Sequence, residues 1–195
     1  MKNQLENRMR ADEMRLGAFE FFAMNNPLRR WVQKHIEFRI FTHQLMRNGI
    51  ELEGKAILDA GCGSGYSTEL IVNAFHPAHI VAFDYMPEQI RLARKRNLHV
   101  VFSVGDLTHI DAPDATFDAV FIFGVLHHIP EWRSALGEVS RVLKGDGVLL
   151  VDEPTVARFT WKDFESGMIQ AGLGIVAMQE FLLAYFHAYL CRKTC

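Results

Sequence analysis

Between Asp59 and Gly65 the chain reads D-A-G-C-G-S-G, an acid followed by glycines at 61, 63 and 65. A glycine after a strand-end acid permits a sharp turn, and further glycines let backbone approach a ligand with no Cβ in the way. Two more acids close apolar runs downstream, Asp84 after HIVAF and Asp106 after VVFSVG. His127 and His128 follow the run 119–126, and histidine exchanges a proton near neutral pH. A glycine-lined loop, three carboxylates and a histidine pair are the parts of a site that seats a small molecule and moves a group or a proton on it.

Spacing separates the ligands such a loop can hold. A dinucleotide fingerprint starting at Gly61 and Gly63 needs glycine or alanine at 66, where the chain has Tyr66. A phosphate-binding P-loop needs a lysine after its last glycine, and none follows. What remains is a glycine loop rimmed by acids. Pyrophosphate is repelled there, whereas a ribose, an adenine amino group or a cationic ligand finds an acceptor. Cys62, inside the loop, reads as a small packing residue, because a reactive thiolate needs electropositive surroundings.

The elements that position these residues alternate strand and helix from residue 55 onward, the signature of βαβ units. Strands are expected at 56–59, 79–83, 100–104, 117–123 and 148–151, with a turn at 144–147. Helices fall at about 65–75, 87–96 and 131–143, the first turning Leu70, Ile71, Ala74 and Phe75 inward. The strands are near-continuous Val, Ile and Phe, as in parallel sheets covered on both faces. Thr160 caps a helix ending near Gly172, and 174–181 with 185–191 form an antiparallel pair at one sheet edge. The fold class is therefore α/β, a doubly wound, mostly parallel, Rossmann-like seven-stranded sheet with an antiparallel edge hairpin and N-terminal capping helices. In such sheets the carboxyl ends of the strands open onto one edge, where ligands bind, and this gathers Asp59, Asp84 and Asp106 at one cleft.

Two helices are expected before the sheet, at 3–24 and 27–48. Pro27 suits the first position of the second, with Leu28, Trp31, Val32, His35 and Ile36 as its apolar stripe. Arg29, Arg30, Lys34, Arg39 and Arg47 make this helix basic. A basic amphipathic helix rests on a membrane surface, caps a pocket, or simply packs with a solvated face. The chain divides as one domain, 1–195, with an N-terminal helical lid at 1–49, a cofactor-binding core at 54–153 and a C-terminal helix with edge strands at 154–195.

With 195 residues, 49% of them hydrophobic, the chain suffices for one full core, and a net charge of −2 of mixed sign gives no reason to expect nucleic acid as partner. Three cysteines without framework spacing fit a reducing compartment. Cys191 and Cys195 have no third ligand near them in sequence, so no metal is expected. Residues 2–15 lack the apolar core of a signal peptide, and every apolar run is too short for a membrane span, so the expected location is cytoplasmic.

Five blocks in register, ILDAGCGSG (57–65), VAFDYMPEQI (81–90), VGDLTHI (104–110), FDAVFIFGVLHHI (117–129) and RVLKGDGVLLVDEP (141–154), resemble the class I S-adenosylmethionine-dependent methyltransferases. The resemblance covers 54–153 and is nearest their small-molecule branch, which includes the quinone methyltransferases. It implies a methyl transfer from S-adenosylmethionine, leaving S-adenosylhomocysteine, onto a small-molecule acceptor. By position, Gly61, Cys62, Gly63 and Gly65 line the methionine and ribose parts, with Asp59 directed towards the amino group. Asp84 accepts the ribose hydroxyls, Tyr85 and Met86 pack near the adenine, Asp106 accepts the adenine amino group, and the Leu107 backbone approaches the ring. The Phe123 carbonyl meets the methionine amino group.

Methyl transfer from a sulfonium asks mainly for alignment and desolvation, with a base needed only where the acceptor must lose a proton. His127 and His128 stand where such a base belongs. The chain reads Gly124-Val125-Leu126-His127 after strand four and lacks the Pro-Pro-aromatic and Pro-Cys elements of nucleic-acid methylating enzymes. Phe19, Phe22, Trp31 and Phe38 in the lid favour a hydrophobic or aromatic acceptor. A non-catalytic cofactor-binding regulator and, against Tyr66, an NAD-type oxidoreductase are the rival readings. The acceptor atom and the oligomeric state stay open.

Overall fold

The computed structural model describes residues 26–155 and 159–194. The helix expected at 3–24, with Phe19 and Phe22, and the terminal Cys195 lie outside these residues. The described chain opens with α1 (Pro27–Val32), capped by the Asn26 side chain on the Arg29 N–H and started by Pro27. A π-helical turn (Gln33–Glu37) follows, closed by a bond from the Phe38 N–H to the Gln33 carbonyl, and α2 (Phe38–Arg47) continues from it.

The remaining order is β1 (Ala56–Ala60), α3 (Tyr66–Phe75), β2 (His79–Asp84), α4 (Pro87–Arg94), β3 (Val101–Val104), β4 (Phe117–Phe123), a 3-10 turn (Leu126–His128), α5 (Trp132–Val142), β5 (Leu143–Pro154), α6 (Trp161–Gln170), β6 (Leu173–Phe181) and β7 (Phe186–Lys193). The seven strands run in the order β3-β2-β1-β4-β5-β7-β6, the first five parallel and β7 antiparallel to both neighbours. The order reverses between β1 and β4, which opens a crevice at the carboxyl ends of those strands.

Alternation along each strand feeds two cores. On one face Leu58, Ile122 and Val151 pack with Leu136 of α5 and with Phe164 and Met168 of α6. On the other, Ile57, Phe121 and Leu150 pack with Phe38, Phe41 and Leu45 of α2 and Ile71 of α3. Gln44 ties α2 to β7 by donating to the Ala188 carbonyl at 3.3 Å. Thr160 caps α6 by accepting from the Asp163 N–H, as expected.

Three expectations are corrected. Leu28 and Trp31 do not form a buried stripe: they are 71% and 54% exposed, and His35 is exposed too, while Glu37, Phe38, Ile40 and Phe41 take the inner side. The π turn changes the helical phase between the two halves, so one 3.6-residue stripe cannot run through both. In α3, Ala74 is exposed, whereas Ser67 and Thr68 share the inner face with Ile71. Residues 144–147 are not a turn before β5 but an insertion within it: Phe117 pairs with Leu143, then Ala119 with Val148.

Candidate functional site

The glycine loop leaves β1 through a fork in which the N–H groups of Gly61 and Cys62 both donate to the Phe83 carbonyl, at 2.8 and 2.9 Å. This locks the end of β1 to the end of β2, so Asp84 arrives beside the loop. Gly61 has φ +78°, and a Cβ there would stand 2.4 Å from Cγ2 of Val125. Gly65 caps α3 with φ +75°, and a Cβ there would press on Ala93 at 3.0 Å. Both positions thus need glycine, for backbone and for packing.

Asp84 is bonded on both oxygens, Oδ2 accepting from the Gly63 N–H and Oδ1 from the Met86 N–H, each at 2.9 Å. Burial pushes its carboxyl above the usual range, partly offset by these two bonds. Asp106 folds its own loop, Oδ1 accepting from the N–H and hydroxyl of Thr108, each at 2.8 Å. Asp84 and Asp106 line one cleft with Gly61, Tyr85, Met86 and Leu107. Gly124, Val125, His128 and Ile129, after β4, complete its wall. A second chamber meets this cleft at Gly61 and is lined by Cys62, Gly63, Ser64, Tyr66, Phe123 and, from the lid, Arg29, Arg30 and Gln33.

Asp59 is fully buried, with Oδ2 accepting from the hydroxyls of Ser67 (2.7 Å) and Thr68 (2.6 Å), while Oδ1 has no partner among the described residues. It therefore anchors α3 as well as facing the loop. Burial raises its carboxyl to about 6. Burial and the neighbouring Asp59 and Asp84 push the Cys62 thiol well above the usual range, the setting of an inert packing cysteine. Phe123 lies in the apolar core, stacked on Phe121 with ring centres 6.1 Å apart. Among the described residues no three His, Cys, Asp or Glu side chains gather as a metal-binding group.

Two side-chain pairings escaped the sequence reading. Glu153, fully buried at the end of β5, accepts from the N–H groups of Val125 (3.0 Å), Leu126 (2.7 Å) and His127 (3.2 Å) and faces His127 Nδ1 at 2.7 Å. A carboxylate oxygen is met by a ring donor, and in the tautomer with the hydrogen on Nδ1 the other nitrogen, Nε2, keeps its lone pair. The His127 ring lies against that of His128, with centres 3.9 Å apart, and His128 lines the cleft. The signal for Glu153 was its place at the end of a strand on the cleft side.

The second missed group is Arg29 with Glu37. Arg29 Nη1 donates to both oxygens of buried Glu37, at 2.9 and 2.7 Å, where burial raises the Glu37 carboxyl. Beside it the carboxylate of Asp152 is buried, with neither oxygen partnered among the described residues. Burial, and after it the neighbouring Glu37, push that acid well above the usual range.

Comparison with known proteins fits this geometry. Residues 58–151 match the model of a methyltransferase domain. A probable S-adenosylmethionine-dependent methyltransferase of Mycolicibacterium smegmatis is 33% identical over 107 residues, 55% of this chain and 41% of that protein. A fatty-acid O-methyltransferase of the same organism is 29% identical over 131 residues, 66% of this chain and 47% of its own. The chain thus spans less than half the length of these curated relatives. A solved methyltransferase structure from Aquifex aeolicus shares the fold with a TM-score of 0.75 at 19% identity, covering 92% of this chain and 100% of that one.

Proposed function

We propose that this chain, whose residues 58–151 belong to the class I S-adenosylmethionine-dependent methyltransferase domain, methylates a small hydrophobic or lipid-like acceptor. The observation that carries the proposal is Asp84, held at the cleft mouth by the Gly63 N–H, with Asp106 lining the same cleft.

The residues present fit the cofactor. A Cβ on Gly63 would meet nothing within 4 Å, so the loop presents open backbone to a ligand. The nearby acids suit a ribose, an amino group and a sulfonium, and Asp59 keeps Oδ1 unspent. When bound, S-adenosylmethionine supplies an electrophilic methyl group. Gly61, Cys62, Gly63 and Gly65 then shape its seat, with Asp59 and the Phe123 carbonyl towards its amino end. Asp84 takes the ribose hydroxyls, and Asp106 with Tyr85, Met86 and Leu107 holds the adenine.

Val125 and Ile129 give the acceptor side an apolar wall that excludes water from the transfer. Where the acceptor must lose a proton, His128 on that wall and His127 behind it, oriented by Glu153, are the groups to receive it. The apolar acceptor is supported by this wall and by the fatty-acid O-methyltransferase among the relatives. The exposed Leu28 and Trp31 beside Lys34 support peripheral contact with a lipid surface through 27–48, and the exposed Leu182 and Leu183 at the β6–β7 tip offer a second apolar point outside that segment.

Calorimetric titration tests the cofactor, with saturable binding of S-adenosylhomocysteine and none of NAD expected. Labelled methyl transfer into extractable lipid and metabolite pools tests the acceptor. Label appearing only in protein or nucleic acid would overturn the acceptor class.

A further inference from the structure

The link from β3 to β4, residues 105–116, holds no helix. On the α5 side of the sheet, the face of β1, β2 and β3 therefore carries a groove of about 750 Å³. Strand side chains alternate, so every second residue reaches it, His79, Val81 and Phe83 from β2 and Val101 and Ser103 from β3. Ile110 and Ala112 of the link wall the groove, and that wall is fixed. Arg141 donates to the carbonyls of Ala112 (2.8 Å) and Ile110 (2.9 Å), and Glu138 accepts from the Ile110 N–H at 2.9 Å. A preformed concavity of this size, mostly apolar with a few polar groups, has the form of a small-molecule site.

The two ends of the groove differ in charge. Lys144 and His79 border the end where the parallel strands begin. Lys144 donates to Asp118 at 2.8 Å, and an ammonium with three N–H groups keeps donors for a second anion. Phe83, Gly105 and Asp106 border the other end and line the cofactor cleft as well. At a strand rise of about 3.3 Å per residue, His79 and Phe83 stand about 13 Å apart. Asp106 repels a carboxylate, and Asp111 on the link is exposed to solvent, so an amphipathic acid gains most with its head at Lys144 and its chain over Val81. We propose that the groove binds one medium-chain fatty acid, head at Lys144 and tail against Phe83, as a second ligand site beside the methyl-transfer cleft.

The test compares octanoate with octanol, which share a chain and differ in the charged head. In calorimetric titrations of the full chain, saturable binding of one octanoate per chain is expected. Lys144→Gln should weaken octanoate about tenfold, the scale of a charged hydrogen bond, and octanol less than about twofold. Ser103→Phe, which fills the groove from the edge strand, should weaken both by more than about tenfold. Retained binding of octanol and of S-adenosylhomocysteine by Lys144→Gln shows that this variant is folded. Equal losses of octanoate and octanol in Lys144→Gln would overturn the head assignment. Octanoate binding that neither substitution alters belongs to another place, the methyl-transfer cleft included, and would overturn the site, as would wild-type protein that binds no octanoate.

Discussion

Glu153 and His127 are joined twice, once through the His127 N–H at 3.2 Å and once through ring Nδ1 at 2.7 Å, so one buried carboxylate fixes both the backbone and the imidazole of the same residue. Because it also accepts from Val125 and Leu126, Glu153 shapes the whole turn between β4 and the acceptor wall. Glu153→Gln sets an amide N–H₂ against donors and is expected to cost about 2–3 kcal/mol in urea unfolding. Methyl transfer should fall more than S-adenosylhomocysteine affinity; equal falls would reduce Glu153 to a structural role.

Asp84→Ala should weaken S-adenosylhomocysteine by about 1.5–3 kcal/mol, the scale of hydrogen bonds to a charged group. The loss includes the bond that holds Gly63 in place. Unchanged affinity by calorimetry would sink the ribose assignment.

Gly61→Ala meets Val125 Cγ2 at 2.4 Å and holds a left-handed backbone, so the two penalties together should cost about 2–4 kcal/mol. Val125→Ala in the same chain should return the steric part and leave the backbone part. A thermal-unfolding double-mutant cycle separates them.

Asp59 gives a pH dependence of definite sign. Its folded-state value of about 6 stands above an ordinary 3.8, so between these values the folded protein keeps a proton that the unfolded chain has released. Its contribution therefore makes stability fall as pH rises from about 4 to about 6, by roughly 3 kcal/mol. Asp59→Asn keeps an acceptor for Ser67 and Thr68 and loses this slope. Its stability relative to wild type should therefore rise across that window in denaturant titrations, while affinity for the cofactor's amino end falls.

The lipid contact rests on side chains that ordinary packing leaves unexplained. Trp31→Ser with Leu183→Ser should cut sedimentation with phosphatidylcholine–phosphatidylglycerol vesicles about fivefold. Equal sedimentation of variant and wild type would place the exposed residues elsewhere in function.

The sheet was legible in sequence because its strands are apolar runs, two of them closed by a marked residue, β2 by Asp84 and the edge strand β3 by Gly105, and the glycine loop because its spacing excludes other seats. What stayed hidden depends on distance in space. Glu153 and His127 lie 26 residues apart, and nothing in VDEP announces that the acid turns under the 3-10 turn. Arg29 reaches Glu37, eight residues away, across a π turn that helical periodicity cannot foresee. The same turn sent Leu28 and Trp31 outward against a stripe read at a single period.

That π turn also sets which side of the lid is inside. A π turn behaves as an α-helix with one residue too many, and one residue is worth about 100° of rotation. Removing a single residue between Gln33 and Glu37 would turn α1 about its own axis, carrying Arg30 off the glycine loop and moving Trp31 relative to the body of the protein. The length of five residues thus works as a dial on which face of the lid the site sees.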